Sequence, residues 1–268
     1  MTRTPIFHSI LVKDRTWARA YLNDLPIYRA GVGPNSRSGP INDLLVPGEN
    51  ELTIELLHAP TPIHSPTLKG AVTFMVYESL NPHAPEGVKV ERRDILEAVF
   101  PELWQSAPAE RRRFPFFYRA FFDPGVEVQP PPYLKSPPMT FGCDGTPELR
   151  AAVQRLHAAI ADNDVDRFLG EIALKLDHYE QALEGEPNAR ASYKRELFRK
   201  ELFHYRLKPE PLDLGALHFE PRAGGRVAHV TRADGGYAIT AVAEDDPKRR
   251  LRTDLLFTQY AGEWRIFA

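Results

Sequence analysis

Two side chains in the last third of the chain have the spacing of an acid–base pair. Glu201 and His204 lie three residues apart in a segment whose apolar positions, Leu197, Phe198, Leu202 and Tyr205, repeat at helical intervals. Glu201 is four residues from both Leu197 and Tyr205, so a helix carries it on that apolar face with His204 beside it. A carboxylate held against apolar groups has a raised pKa, and a neighbouring imidazole can share its proton. Glu201 and His204 are therefore the catalytic candidates. The competing reading is a helix-edge ion pair with Lys200 or Arg206. Tyr205 and Tyr179 offer hydroxyl groups to a ligand and Trp264 a flat wall. His229 alternates with Val227 and Thr231 in a strand-like run, which directs its ring into a curved sheet. Tyr179, Tyr205, His229 and Trp264 are the ligand-binding candidates. Asp177 and His178 fall off the stripe that contains Tyr179 and are expected to face water. His218 falls on the strand side opposite Leu217 and Phe219.

Other chemistries lack their residues. His58, His64 and His83 have none of the short paired spacings of a zinc site, and no cysteine accompanies them. Glu201-x-x-His204 is half of a di-iron helix pattern whose second helix is missing. No metal and no cofactor is expected. There is no G-x-S-x-G nucleophile elbow and no P-loop. Gly31-Val32-Gly33-Pro34-Asn35-Ser36 begins like a dinucleotide loop, but Ser36 stands at the third glycine position and no helix follows, so it reads as a turn. The single cysteine, Cys143, cannot form a disulfide within the chain and reads as a plain thiol. Arg111-Arg112-Arg113 precedes Phe114-Pro115-Phe116-Phe117-Tyr118, a basic and aromatic run that could stack on single-stranded nucleic acid or anchor a protein interface. With 34 basic against 36 acidic residues the chain has a net charge of −2. That balance disfavours nucleic acid and leaves protein contact.

The elements that must position these residues change character along the chain. Hydrophobic residues make up 43% and charged residues 26% of the 268, the profile of a globular protein long enough for two cores. No segment approaches the roughly 20 apolar residues of a membrane helix. The first eight residues hold no apolar leader, so we expect a cytoplasmic protein without a membrane partner. Ile6–Val12, Trp17–Leu22, Ile27–Tyr28, the alternating Glu51–Leu56, Val72–Tyr77 and Val88–Val90 read as strands. Arg93–Trp104 reads as a short helix. Phe114–Phe122, aromatic on both faces, reads as a strand covered on both sides. Pro130-Pro131-Pro132 and Pro137-Pro138 read as a semi-rigid linker over residues 130–145, between a domain of residues 1–129 and one of 146–268. Thr146 is the N-cap and Pro147 the first turn of a helix with Leu149, Val153, Leu156 and Ile160 on one face. Asp162-Asn163-Asp164 starts a second helix with the stripe Val165, Phe168, Ile172, Leu176, Tyr179 and Leu183. A third runs from Ala189 to Arg206, stopped by Pro209. Five strand-like runs follow, with turns at Asp234-Gly235-Gly236 and Ala261-Gly262-Glu263, so the sheet is antiparallel. The fold class is thus an N-terminal all-β sandwich followed by an α+β cone of three helices on a curved antiparallel sheet.

Two resemblances sharpen this. Tyr21-Leu22-Asn23-Asp24-Leu25-Pro26-Ile27 with Ile41-Asn42-Asp43-Leu44-Leu45-Val46-Pro47-Gly48-Glu49-Asn50-Glu51-Leu52 resembles the hairpin and strand entry of galactose-binding-like jelly-roll sandwiches. Leu156 to Leu169 and the closing Leu256 to Ile266, with Trp264-Arg265-Ile266, resemble the opening and terminal hairpin of NTF2-like (SnoaL-like) domains. That second resemblance implies a pocket between the helices and the concave sheet. The family includes isomerases, dehydratases, transport factors and non-catalytic binding domains, so function rests on the site. Two functions are expected. The first is a non-catalytic interaction protein of accessory or immunity type, bacterial in character, with a protein, a small molecule or a second copy of itself as partner. The second is a SnoaL-like isomerase or dehydratase acting on a small metabolite by acid–base catalysis.

Overall fold

A computed structural model describes residues 5–13, 17–30, 35–57, 72–80, 91–100, 102–184, 187–253 and 255–268. The structure is sheet-rich and mixed, with several open antiparallel sheets and helices concentrated in the second half. It separates into two compact units, Met1–Pro130 and Pro131–Ala268.

The first unit contains β1 (Ile6–Lys13), β2 (Ala18–Leu22), β3 (Leu25–Ala30), β4 (Asn35–Pro40), β5 (Asn50–Leu56), β6 (Val72–Ser79), β7 (Arg92–Phe100), the short helix α1 (Glu102–Ser106) and β8 (Phe116–Phe122). They form two four-stranded sheets, ordered β4-β1-β6-β7 and β3-β2-β5-β8, with every pairing antiparallel. Period-two alternation puts Phe7, Ser9, Leu11, Phe74, Val76 and Ala98 of the first sheet in the core, and Ala18, Ala20, Leu22, Leu52, Ile54 and Phe116 of the second. Tyr28 of β3 ties the two sheets together. Its hydroxyl donates to the Ser9 carbonyl at 2.8 Å, and its ring stands edge-on to Phe74.

Turn chemistry fixes the register. Asn23 adopts φ 53, and its side chain reaches Leu44 O, Asn50 Oδ1 and Glu51 N. Asn50, fully buried, returns hydrogen bonds to Val46 and Gly48. The stretches Tyr21–Ile27 and Ile41–Leu52 are thereby brought side by side.

Two expectations in this unit are corrected. Residues 92–100 form β7 and not a helix; Leu96, Val99 and Phe100 supply β-branched and large apolar side chains that pair against β6, and the helix begins only at Glu102. β8 is an edge strand with one covered face, whereas cover on both sides was expected. β4 takes in Asn35 and Ser36, which were read as part of a turn. His58, His64, His83, Val88–Val90 and Gly31–Pro34 lie outside the described residues.

The second unit opens as the sequence indicates. Thr146 Oγ1 accepts the Leu149 amide at 3.2 Å at the start of α2 (Pro147–Ala161). Asp164 caps α3 (Val165–Glu171) by accepting Arg167 N at 3.0 Å. The expected second helix is broken at Ile172, where φ −101 and ψ 11 separate α3 from α4 (Ala173–Ala182). The expected third helix is regular only over α5 (Ala191–Leu197). A π-helical turn follows at Phe198–Leu202, then a 3-10 turn, and Arg206 ends the segment in the left-handed region at φ 47. The stop therefore comes before Pro209.

Strands β9 (Leu207–Pro209), β10 (Leu217–Arg222), β11 (Val227–Arg232), β12 (Ile239–Ala243), β13 (Arg250–Thr253), β14 (Leu255–Tyr260) and β15 (Glu263–Ile266) make two antiparallel sheets, β10-β11-β14-β15 and β13-β12-β9. A bridge between Thr231 and Tyr237 and the direct succession of β13 and β14 carry the chain from one sheet to the other. Helix α2 lies against β9 and β15.

The proline-rich stretch expected as a linker is bonded to this unit. Ser136 Oγ donates to the Gln259 carbonyl at 2.6 Å and meets Thr258 Oγ1 at 2.8 Å, and Met139 N donates to Gly225 O. Only glycine fits at 225. With φ at 82, a Cβ there would stand 2.6 Å from the Met139 carbonyl oxygen.

Candidate functional site

The space between helices and sheet is filled by side chains. Leu149, Val153, Leu156, Ile160, Phe168 and Phe203 meet Phe219, Val230, Leu255, Phe257, Trp264 and Ile266 in one cluster of buried residues. Trp264, expected as a ligand wall, is a member of it at 4% exposure, edge-on to Phe141.

Glu201 and His204 lie on the surface. Leu197, whose spacing to Glu201 implied a buried face, is itself 40% exposed, so the side of the segment that carries Glu201 faces solvent. The Glu201 carboxylate meets Arg249 Nη1 at 3.1 Å, and that guanidinium lies 3.8 Å over the ring of Tyr205. His204 stands edge-on to Tyr205. Arg249 is thus the partner of Glu201, in place of the Lys200 or Arg206 of the ion-pair reading. Lys200 instead pairs with Glu196 at 2.9 Å. Tyr179 is half-buried under the Lys194 ammonium. His178 is 2% exposed, against the expectation that it faces water, and is buried along with Leu176 of the expected stripe.

His229 is buried as its alternation suggested, but it sits on the sheet face opposite Ala228 and Val230, which belong to the core cluster. Among the described residues neither of its ring nitrogens has a hydrogen-bond partner. Nδ1 faces Glu220 Oε2 of the paired strand β10 at 3.8 Å, an electrostatic contact longer than a hydrogen bond. That ring first, and then the Arg222 guanidinium 2.7 Å away, hold the Glu220 carboxyl at about 2, while partial burial pushes the other way.

Two surfaces that sequence reasoning did not single out, or placed only coarsely, carry convergent groups. One is a cleft of about 140 Å³ beside the β11–β12 connection, with His157, Glu210, Asp213, Arg232, Tyr237 and Thr240 above a floor that includes Leu217 and Ile239. His157 Nε2 bonds the Glu210 carbonyl oxygen at 2.8 Å, and Arg232 bridges the Glu210 and Asp234 carboxylates. Its residues come from segments more than fifty positions apart, so no local spacing signals it.

The other is strand β8. It ends its sheet, and among the described residues no strand pairs with its outer edge. Phe117 and Phe121 are 55% and 56% exposed, with Arg119 between them on the same face. Across the ladder Phe117, Arg119 and Phe121 stand opposite Glu55, Thr53 and Glu51. Arg119 Nε meets Glu51 Oε1 at 3.4 Å. A signal was present in the sequence: Arg119 shares its two-residue phase with both phenylalanines, which marks their face as the solvent side.

Among the described residues no group of three His, Cys, Asp or Glu side chains is placed to hold a metal ion, and no helix is long and apolar enough to cross a membrane. Cys143 is exposed and free. Compared with protein-family models, with curated proteins and with solved structures, the chain matches none.

Proposed function

We propose that this chain is a non-catalytic interaction protein, of accessory or immunity type, that recognises a protein through β8. In this reading the two sheets of the first unit form a sandwich and the second unit is an α+β cone of NTF2-like kind whose interior serves as scaffold. The observation that carries it is the pair of exposed phenylalanines on a free-edge strand. Large apolar groups exposed on one face mark contact surfaces, and aromatic and arginine side chains dominate the energetics of such contacts. The filled interior and the outward placement of Glu201 and His204 support the same reading. The cytoplasm is its natural compartment.

The immobilised chain is expected to retain a partner from native lysate and to lose it in the double variant Phe117→Ser/Phe121→Ser, with the melting temperature unchanged. A partner retained equally by both forms would overturn the assignment to β8.

One observation favours the second reading, isomerisation or dehydration of a small metabolite: the cleft in which His157, Glu210 and Arg232 converge. At about 140 Å³ it falls below the roughly 300 Å³ at which ligand pockets begin. Turnover that disappears in His157→Ala at unchanged melting temperature would establish that reading over the first.

A further inference from the structure

The interaction reading leaves the partner's chemistry open, and the inference here rests on that reading. We infer that β8 binds an acidic segment in extended conformation, which adds to the sheet as a fifth strand.

Three observations converge. First, among the described residues β8 is an edge. In an antiparallel ladder alternate residues turn their N–H and C=O groups away from the neighbour, so the outer side of Phe116–Phe122 presents a row of backbone donors and acceptors. Extended peptides use such rows, with main-chain hydrogen bonds giving affinity and alternate side chains giving selectivity.

Second, the edge is protected by few of the usual devices. Apart from the single charge of Arg119 it carries exposed phenylalanines, and within the strand there is neither proline nor lysine.

Third, the run that contains the strand is basic, while Glu55 and Glu51 across the ladder are paired with Arg19 and Arg119. Residues 110–122 hold four arginines against one glutamate, in a chain whose total is −2. Arg111, Arg112 and Arg113 are exposed just before the strand, and Arg119 is 69% exposed at its centre. Arg112 is anchored by hydrogen bonds to the Ala107 and Gln105 carbonyls, which spend donors but leave its charge. Arg119 keeps Glu51 on its inner side at 3.4 Å and is open on its outer side, where the added strand would place a side chain of its own. A carboxylate directly opposite Arg119 makes a cross-strand ion pair, and apolar residues two positions either side lie against Phe117 and Phe121.

The test is a selection followed by a charge swap. Random peptides of about twelve residues, displayed singly, are panned on the whole chain at low salt. The enriched peptides are expected to be net acidic, with carboxylates and apolar residues alternating. A synthetic peptide of the enriched sequence should lose about tenfold in affinity to Arg119→Glu, and about as much when salt rises from roughly 0.05 M to roughly 0.5 M. Replacing its central carboxylate by lysine should restore binding to Arg119→Glu. Methylation of every second peptide amide should abolish binding, which separates strand addition from a side-chain contact. Circular dichroism should show both variants folded.

Enriched peptides without acidic bias, no rescue by the swap, or full binding of the methylated peptide each overturn the inference. So does a doubling of mass by light scattering that Phe117→Ser/Phe121→Ser abolishes, which would make the occupant a second copy, and so does displacement of the peptide by oligothymidine. If the selected peptides are neutral yet still need Phe117 and Phe121, the acidic-strand inference falls and the interaction reading stands. If peptide and lysate partner both ignore the two phenylalanines, both fall.

Discussion

At the scale of single residues, Glu220 shows how a charged group is retained on a largely covered sheet face. The carboxyl is held at about 2, down from 4.5, by His229 and Arg222. Its folded-state pKa is therefore depressed. The stabilisation it brings is complete above its ordinary pKa and is lost as pH falls from there through about 2. Glu220→Gln is expected to be less stable than the parent at neutral pH. The gap in urea midpoint should narrow once pH drops below 4.5 and close toward 2. A gap that stays constant over that window would remove Glu220 from the acid sensitivity of this protein. Among the described residues the buried imidazole of His229 has neither nitrogen hydrogen-bonded, which is costly.

At the scale of elements, capping and turn chemistry were legible in the sequence and helix continuity was not. Thr146-Pro147 announced the start of α2, and the structure shows the hydroxyl accepting from Leu149. Thr146→Ala should cost about 1 kcal/mol, and Thr146→Ser should recover most of it, measured by chemical denaturation. Equal loss in both variants would show that the methyl group and not the cap is what matters. Asn50 and the Gly235 and Gly262 turns were readable for the same reason: their backbone geometry is demanded locally, with φ of 81 and 83 at the two glycines. The break at Ile172 and the π-helical turn at Phe198–Leu202 have no such local cause. Both segments keep an apolar repeat at helical spacing, and it is the packing of Phe168 against Phe198 and Phe203 that accompanies the irregular backbone. Leu197, on the same side as Glu201, is exposed, so the apolar spacing of Leu197 and Tyr205 did not mark a buried face and Glu201 and His204 lie on the surface. The cleft around His157 was illegible for a different reason, since its groups meet only in three dimensions.

At the scale of the whole molecule, the question is whether the second unit is a vessel or a scaffold. A vessel keeps space and unsatisfied polar groups at its centre and gives up stability for them. In this unit the centre is occupied by Phe219, Phe257, Leu149 and Leu156, each at most 1% exposed. A scaffold of that kind is close-packed, so deleting a large side chain leaves a cavity that the neighbours fill only in part. Phe257→Ala is therefore expected to cost about 3–5 kcal/mol, read from urea unfolding monitored by the tryptophans. It should also leave peptide binding at β8 unchanged per folded molecule, because the aromatic edge belongs to the other compact unit. A cost well below about 1 kcal/mol would mean that the interior already contains room at Phe257. The enzymatic reading would then regain the pocket that the resemblance to NTF2-like domains implied. A full cost with intact binding fits a molecule whose α+β half is built to be rigid and whose recognition chemistry lies on an exposed strand.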